Sequence, residues 1–381
     1  MNKYIYYIWL NLIEISTDKK VRLIEYFGDA QKVFEADEED YTECKLLKEK
    51  QIKLLLDKSL KKSEKEFKRA EKYGVKFVCI EDDVYPENLL NIYDPPILLY
   101  TKGDVSLLKK QLCFCIVGTR SSTPYGLTAA MQISSQLAEC GMVIVSGLAI
   151  GGDSAAHQGA LKVKGKTIGV AACGINIDYP AGNGALREKI INEGLIISEF
   201  PFDYEVRQQN FHKRNRILSG LSLGVAVVEA PQRSGALITA NHAKEQNRDV
   251  FALPGNITSR VSMGANQLIS DGATAILGAE TILSEYLPRY PHLFEIDDFL
   301  EEYKKANEKE DIEISCIKES MEEPEGDERK IIKKLLKTGD KNFEQLKAET
   351  GMETSKLNVL LTTMQIEGIV YEKAGRNFSL K

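Results

Sequence analysis

The chain lacks the pairings from which metal and redox sites are built. Its 381 residues include four histidines and seven cysteines. His157, His212, His242 and His292 show no metal-ligand spacing, so no metal site is assigned. Cys44, Cys79, Cys113, Cys115, Cys140, Cys173 and Cys316 include no CxxC pair. An odd, scattered set lying mostly in apolar stretches reads as reduced core thiols of a cytoplasmic protein. Long apolar runs are missing as well. The apolar start, Tyr4 to Ile13, is too short for a bilayer and no small-residue cleavage site follows it, so it is expected to be a core helix. Neither GxGxxG nor GxxxxGK-Ser/Thr occurs, so no dinucleotide or Mg-nucleotide cofactor is expected.

What is present is a chain too long for one ordinary core, with 43% hydrophobic and 28% charged residues. The net charge is −6, but it is unevenly spread. Residues 281–328 hold 5 basic and 16 acidic side chains, and residues 329–381 hold 11 basic and 6 acidic. The acidity therefore sits in one connector and says little about what the middle of the chain binds.

The expected order is a helical module over 1–75 (of SAM or helix-hairpin-helix type), a connector over 76–110, a doubly wound parallel α/β domain over 111–280, an acidic linker over 281–328 and a winged-helix module over 329–381. The α/β reading rests on continuous apolar runs such as LCFCIVG at 112–118, MVIVSG at 142–147 and LGVAVVEA at 223–230, which alternate with helical stretches. Strands buried on both faces have this composition, and ligands of such sheets bind at the carboxyl ends of the strands. In the tail, three short amphipathic stretches precede a hairpin expected around Ala374-Gly375.

Four blocks after strands could carry chemistry. In Gly118-Thr119-Arg120, Thr123 and Pro124 are expected to open a helix whose free N–H groups favour a phosphate, with Arg120 adding a guanidinium; a plain strand–helix turn fits equally well. Ser146-Gly147-Leu148-Ala149-Ile150-Gly151-Gly152-Asp153 lets backbone approach a ligand. There Asp153 and His157 could be drawn as a base pair, but no nucleophile accompanies them, and a helix cap with a satisfied core histidine is preferred. Phe211-His212-Lys213-Arg214-Asn215-Arg216 sets an aromatic beside cations, the recipe for stacking a base and holding phosphate. Arg216 is expected to be the structural member, paired to Glu199 or Glu229. Arg233-Ser234-Gly235 offers a second phosphate site or an ordinary cap.

In this order and spacing the blocks VGTR, SGLA–G–D–AAH, CGINIDYP, ISEFP, F–RNR–LSGLS, VVEA, SGALITA, VFALPG and GANQLI resemble the DNA-processing protein A (DprA/Smf) family over roughly residues 85–280. The resemblance implies a Rossmann-like core, binding of single-stranded DNA, a homodimer and delivery of the strand to the recombinase RecA in transformation or recombination, without enzymatic turnover. Carried over by motif, Gly118, Thr119 and Arg120 would hold backbone phosphate, and Ser146 and Gly147 would line the same pocket. Phe211 would stack on a base, with Lys213, Arg214 and Asn215 beside it. Three departures stand out. Gly152 replaces an isoleucine, which should loosen its turn. Ala181-Gly182 follows Tyr179-Pro180 where a basic residue is common, and His212 stands where proline is. The competing readings are a Rossmann-like nucleotide hydrolase of phosphoribohydrolase type and a duplex-DNA regulator led by the tail. Truncation after residue 328 is expected to leave single-strand binding largely intact.

Overall fold

A computed structural model describes residues 2–294, 327–366, 369–373 and 377–380, which fall into two compact units, 1–296 and 297–381. The first unit is built on a nine-stranded, mostly parallel sheet. Its strands are β1 (Lys76–Cys79), β2 (Leu98–Gly103), β3 (Cys113–Val117), β4 (Val143–Ser146), β5 (Thr167–Val170), β6 (Leu195–Ser198), β7 (Gly224–Val227), β8 (Asp249–Ala252) and β9 (Thr274–Ala275). The spatial order is β1-β2-β6-β5-β4-β3-β7-β8-β9. From β3 the chain winds outward through β4, β5 and β6, then returns to the other side of β3 for β7, β8 and β9. The order reverses between β3 and β7, and a reversal of this kind opens a crevice at the carboxyl ends of the two strands.

The central strands form because each can be buried on both faces. Every residue of β3, β4, β5, β6 and β7 is buried, and each large apolar side chain so removed from water contributes roughly 1.5–3 kcal/mol. Polar groups inside the sheet are spent on its own carbonyls. Ser146 Oγ donates to Ile116 O at 2.6 Å and Thr167 Oγ1 to Ile144 O at 2.7 Å.

The expected connector at 76–110 is part of this sheet. β1 pairs antiparallel with β2, and β2 antiparallel with β6, so the sheet begins at Lys76 rather than after residue 110. The Pro-rich turn between the two strands hid a pairing that only the distant β6 completes. The amino-terminal region is helical as expected. Helix Lys3–Leu12 is capped by the Asn2 side chain and buries Tyr7, Ile8, Trp9 and Leu10. These residues share one apolar core with Phe77, Leu98, Tyr100 and Ile196 of the sheet. The charged stretch after residue 43 divides into helices Glu49–Leu55 and Lys61–Tyr73. Helix Ala279–Tyr286, inside the expected acidic linker, buries Ile282, Leu283 and Tyr286; the rest of that linker from 295 to 326, with Cys316, lies outside the described residues.

The second unit contains helices Asp327–Leu336, Phe343–Thr350 and Thr354–Ile366 and a three-stranded sheet of Lys341–Asn342, Asn377–Leu380 and Val370–Lys373 in that spatial order. The turn expected at Ala374-Gly375 lies outside the described residues. Among the described residues no helix is long and apolar enough to cross a membrane, and no group of acidic, histidine or cysteine side chains could hold a metal.

Candidate functional site

A cavity of about 1010 Å³ opens at the reversal between β3 and β7. Gly118, Thr119 and Arg120 form one wall, helix Gln208–Leu221 a second, and Pro231 to Thr239 a third. The turn after β3 is fixed by backbone packing. A Cβ on Gly152 would lie 2.7 Å from Gly118 Cα, and one on Gly118 would lie 2.6 Å from the Val228 side chain. Gly152 therefore does not loosen its turn. It lets two loops pass backbone against backbone, at a position where even alanine would collide.

The helix start expected to receive a phosphate is already occupied. Helix Pro124–Glu139 has Thr123 as its N-cap, and the Glu229 carboxylate accepts from Thr123 N at 2.8 Å and from Thr123 Oγ1 at 2.7 Å. Glu229 is 2% exposed. A buried carboxylate at a helix N-terminus satisfies the same N–H groups and dipole that an external phosphate would. Gly126 is required beside it, because a Cβ there would run into the Glu229 carboxylate. Glu229 thus caps a helix and does not pair with Arg216.

The Asp153 carboxylate plays a similar internal part. It accepts from Gly118 N at 3.3 Å and Ala149 N at 3.4 Å. Burial raises its pKa, and Arg214, Gly118 N, Ala149 N and Arg120 oppose that rise. His157 is sealed in the core, with Nδ1 2.7 Å from Thr167 Oγ1. Burial, reinforced by Arg214, lowers its pKa to about 3. A base that cannot reach solvent or the cavity does not fit a proton-transfer role. The folded protein holds His157 neutral where the unfolded chain would protonate it. Stability from this residue is therefore present above pH 6.5 and is lost as pH falls from about 6.5 towards 3. His157→Gln is expected to flatten this part of the stability–pH curve, as measured by urea denaturation at a series of pH values. An unchanged slope would show that the carboxylates alone set the acid limb.

The Phe211 block is one continuous helix, and its periodicity separates the residues. Phe211, Arg214, Asn215 and Leu218 recur at i, i+3, i+4 and i+7 and all line the cavity. Lys213 is exposed but absent from the lining, and Arg216 also points elsewhere. Arg216 pairs with Glu199 at 2.6 Å and Asp94 at 2.8 Å, the structural role expected of it. Arg214 differs from expectation. It is 3% exposed, donates to Gly147 O at 2.5 Å and to Val170 O, and its Nε donates to Asn215 Oδ1 at 3.2 Å. It ties the ends of β4 and β5 to the helix before any ligand arrives. Asn215 Nδ2 extends this tie to Gly235 O at 3.1 Å.

The exposed chemistry is concentrated in fewer groups. The Arg120 guanidinium lies over the Phe211 ring, 4.8 Å from its centroid, and the Tyr179 ring meets Phe211 at 5.8 Å. Arg120 is exposed and forms no ion pair among the described residues. His212 and Arg233, both exposed, also line the cavity. Ser146, expected in the pocket, is fully buried and spent on Ile116 O, while Gly147 faces only a small adjoining recess. Tyr179 was missed as a lining residue. Its Tyr-Pro turn was legible, but its approach to Phe211 crosses the sheet edge and leaves no local signal.

An open, cation-bearing cavity at the reversal of a parallel sheet defines a member of the ligand-binding α/β class. The chain belongs to the DNA recombination-mediator protein A (DprA/Smf) family, whose sequence profile matches residues 76–287. It is 43% identical over 212 residues to DNA processing protein DprA of Bacillus subtilis, covering 56% of this chain and 71% of that one. It is 35% identical over 316 residues to protein Smf of Synechocystis, covering 79% of each. The crystal structure of DNA processing protein A from Streptococcus pneumoniae superposes with a TM-score of 0.67 at 33% identity, covering 75% of this chain and 98% of that one. DNA processing protein A from Helicobacter pylori, known for a unique single-stranded DNA binding mode, superposes at 0.52 with 32% identity, covering 56% of this chain and 97% of that one.

Proposed function

We propose that this chain binds single-stranded DNA in the cavity between β3 and β7 and acts as a recombination mediator. The observation that carries the reading is the Arg120–Phe211–Tyr179 group, a guanidinium and two aromatic rings at the mouth of an open cavity. Bases stack on such rings whatever their identity, and the guanidinium holds the backbone phosphate. Gly118 and Thr119 shape the wall, Arg233 and His212 add polar contacts, and Arg214 and Asn215 hold the wall in place. Lys213 serves the outer surface of the helix.

On this reading the protein works in the cytoplasm as a homodimer, hands the strand to the recombinase RecA, and turns over no substrate. Sealed His157 and the backbone-bound Asp153 carboxylate favour binding over nucleotide hydrolysis. The Rossmann-like description is supported by the strand order. The winged-helix reading of 329–381 is supported by three helices followed by the antiparallel pair Val370–Lys373 and Asn377–Leu380.

An electrophoretic mobility shift with labelled single-stranded oligonucleotide, competed by duplex of the same sequence, tests the proposal. Binding is expected to be salt-sensitive and poorly competed by duplex. Arg120→Ala is expected to weaken it about tenfold or more, the scale of one charge-assisted contact. Duplex preference, or full affinity in Arg120→Ala, would sink the assignment.

A further inference from the structure

Helix Lys61–Tyr73, which the family profile's match does not reach, carries a row of cations with no counterpart in the cavity. Lys61, Lys65, Lys68 and Lys72 follow one another at spacings of four, three and four residues and line one shallow concavity. At 100° per residue they fall within a narrow arc of the helix, and their span along its axis is about 16 Å. All four are exposed, and none forms an ion pair with a carboxylate among the described residues. Intrahelical pairing would have blunted the row, yet Glu66 on the opposite face is turned inward to accept from Phe202 N at 2.5 Å.

The position of this helix links it to the cavity. Arg69 binds Asp203 at 2.5 Å, in the turn that follows β6. Asp203 also accepts from Asn176 Nδ2 at 2.8 Å. Asn176 lies three residues before Tyr179, which meets Phe211 in the cavity mouth. A single loop after β5 therefore has the aromatic pair at one end and the root of the basic helix at the other. Lys65 also lowers the Asp203 pKa through space, behind Arg69 and Asn176 in effect, which sets it on the same side of the helix.

We infer that the lysine row of helix Lys61–Tyr73 is a second contact for the same single strand, holding the backbone of the segment that leaves the cavity past Tyr179. This rests on the single-stranded DNA reading of the cavity. The row offers charge without aromatic partners, so it would hold phosphates and read no bases. A strand short enough to end inside the cavity would not touch it.

The test compares the full-length wild type with Lys65→Gln/Lys68→Gln/Lys72→Gln on oligothymidylates of increasing length, with Arg120→Ala as the cavity control. Glutamine keeps helix propensity at exposed positions, and an unchanged melting temperature checks the fold. The triple variant is expected to match wild type on the shortest strands that bind. On long strands it should bind about tenfold more weakly, with a salt dependence of log K reduced by about 2, near 0.7 for each phosphate released. Arg120→Ala should lose affinity at every length. Equal binding of wild type and triple variant at all lengths would overturn the inference and leave the cavity reading standing. A loss that is the same at every length would also overturn it, because the lysines would then act only through the general field. Absence of binding by wild type at any length would remove both readings together.

Discussion

Arg216→Met is expected to destabilise the protein by about 3–5 kcal/mol, the usual cost of leaving a buried ion-pair partner without its counter-charge. The Arg216 side chain is 6% exposed and that of Glu199 is 12% exposed. Removing the guanidinium strands the Glu199 carboxylate at the end of β6, beside a Lys20 that burial has already pushed down to about 8. Asp94, with a side chain 35% exposed, loses less because water can replace its partner. The loss should appear in urea denaturation as a lower midpoint at unchanged slope. The paired change Arg216→Met/Glu199→Met should recover part of it, since the penalty lies in the orphaned charge more than in the missing attraction. Because Arg216 points away from the cavity, single-strand affinity well below the unfolding transition should stay within about twofold of wild type, inside the few tenths of a kcal/mol typical of uncoupled sites. A destabilisation under about 1 kcal/mol would mean that solvent screens the cluster as it does surface pairs.

Phe211→Ala is expected to reduce affinity for single-stranded DNA by about 1–3 kcal/mol, the range for one lost base–aromatic stack, or roughly 5- to 150-fold. Phe211→Trp should retain most of the affinity, since the contact needs a π-face and not a particular ring. Arg120 lies on that ring, so the two side chains are one unit. Arg120→Ala/Phe211→Ala should then lose less than the sum of the single variants, a coupling that fluorescence titration of an oligonucleotide can resolve. Strict additivity would show that base and phosphate contacts are independent and that the observed stack has no part in binding. Loss of duplex affinity in parallel with single-strand affinity would point instead to a general electrostatic effect.

The sequence made the central sheet legible because its strands are apolar on both faces, a pattern that needs no knowledge of their neighbours. The edge strands β1 and β2 were not legible. Each is short, and their place depends on pairing with β6 more than ninety residues away. Within the site, Gly118, Thr119, Arg120 and Phe211 were legible from strand–turn spacing and from the mixture of cations with an aromatic. The block around Phe211 was misjudged for a physical reason. Read as a loop, its three cations are equivalent; as a helix, the 3.6-residue period turns Arg214 inward, Lys213 outward and Arg216 towards Glu199. The misplacement of Ser146 has the same origin. A strand-end serine looks available until the neighbouring strand presents Ile116 O to it. The capping of helix Pro124–Glu139 by Glu229 could have been anticipated only by knowing that β7 lies next to β3.

The contact between Gly118 and Gly152 bears on how this chain can change over generations. The two positions are 34 residues apart in the sequence but share one space, each filling the room that the other's side chain would need. A substitution at either must be matched by retreat of the opposite loop, and that loop is fastened by Asp153 on one side and Thr119 on the other. Drift at these sites is therefore closed to single steps, and the two glycines are inherited as one character.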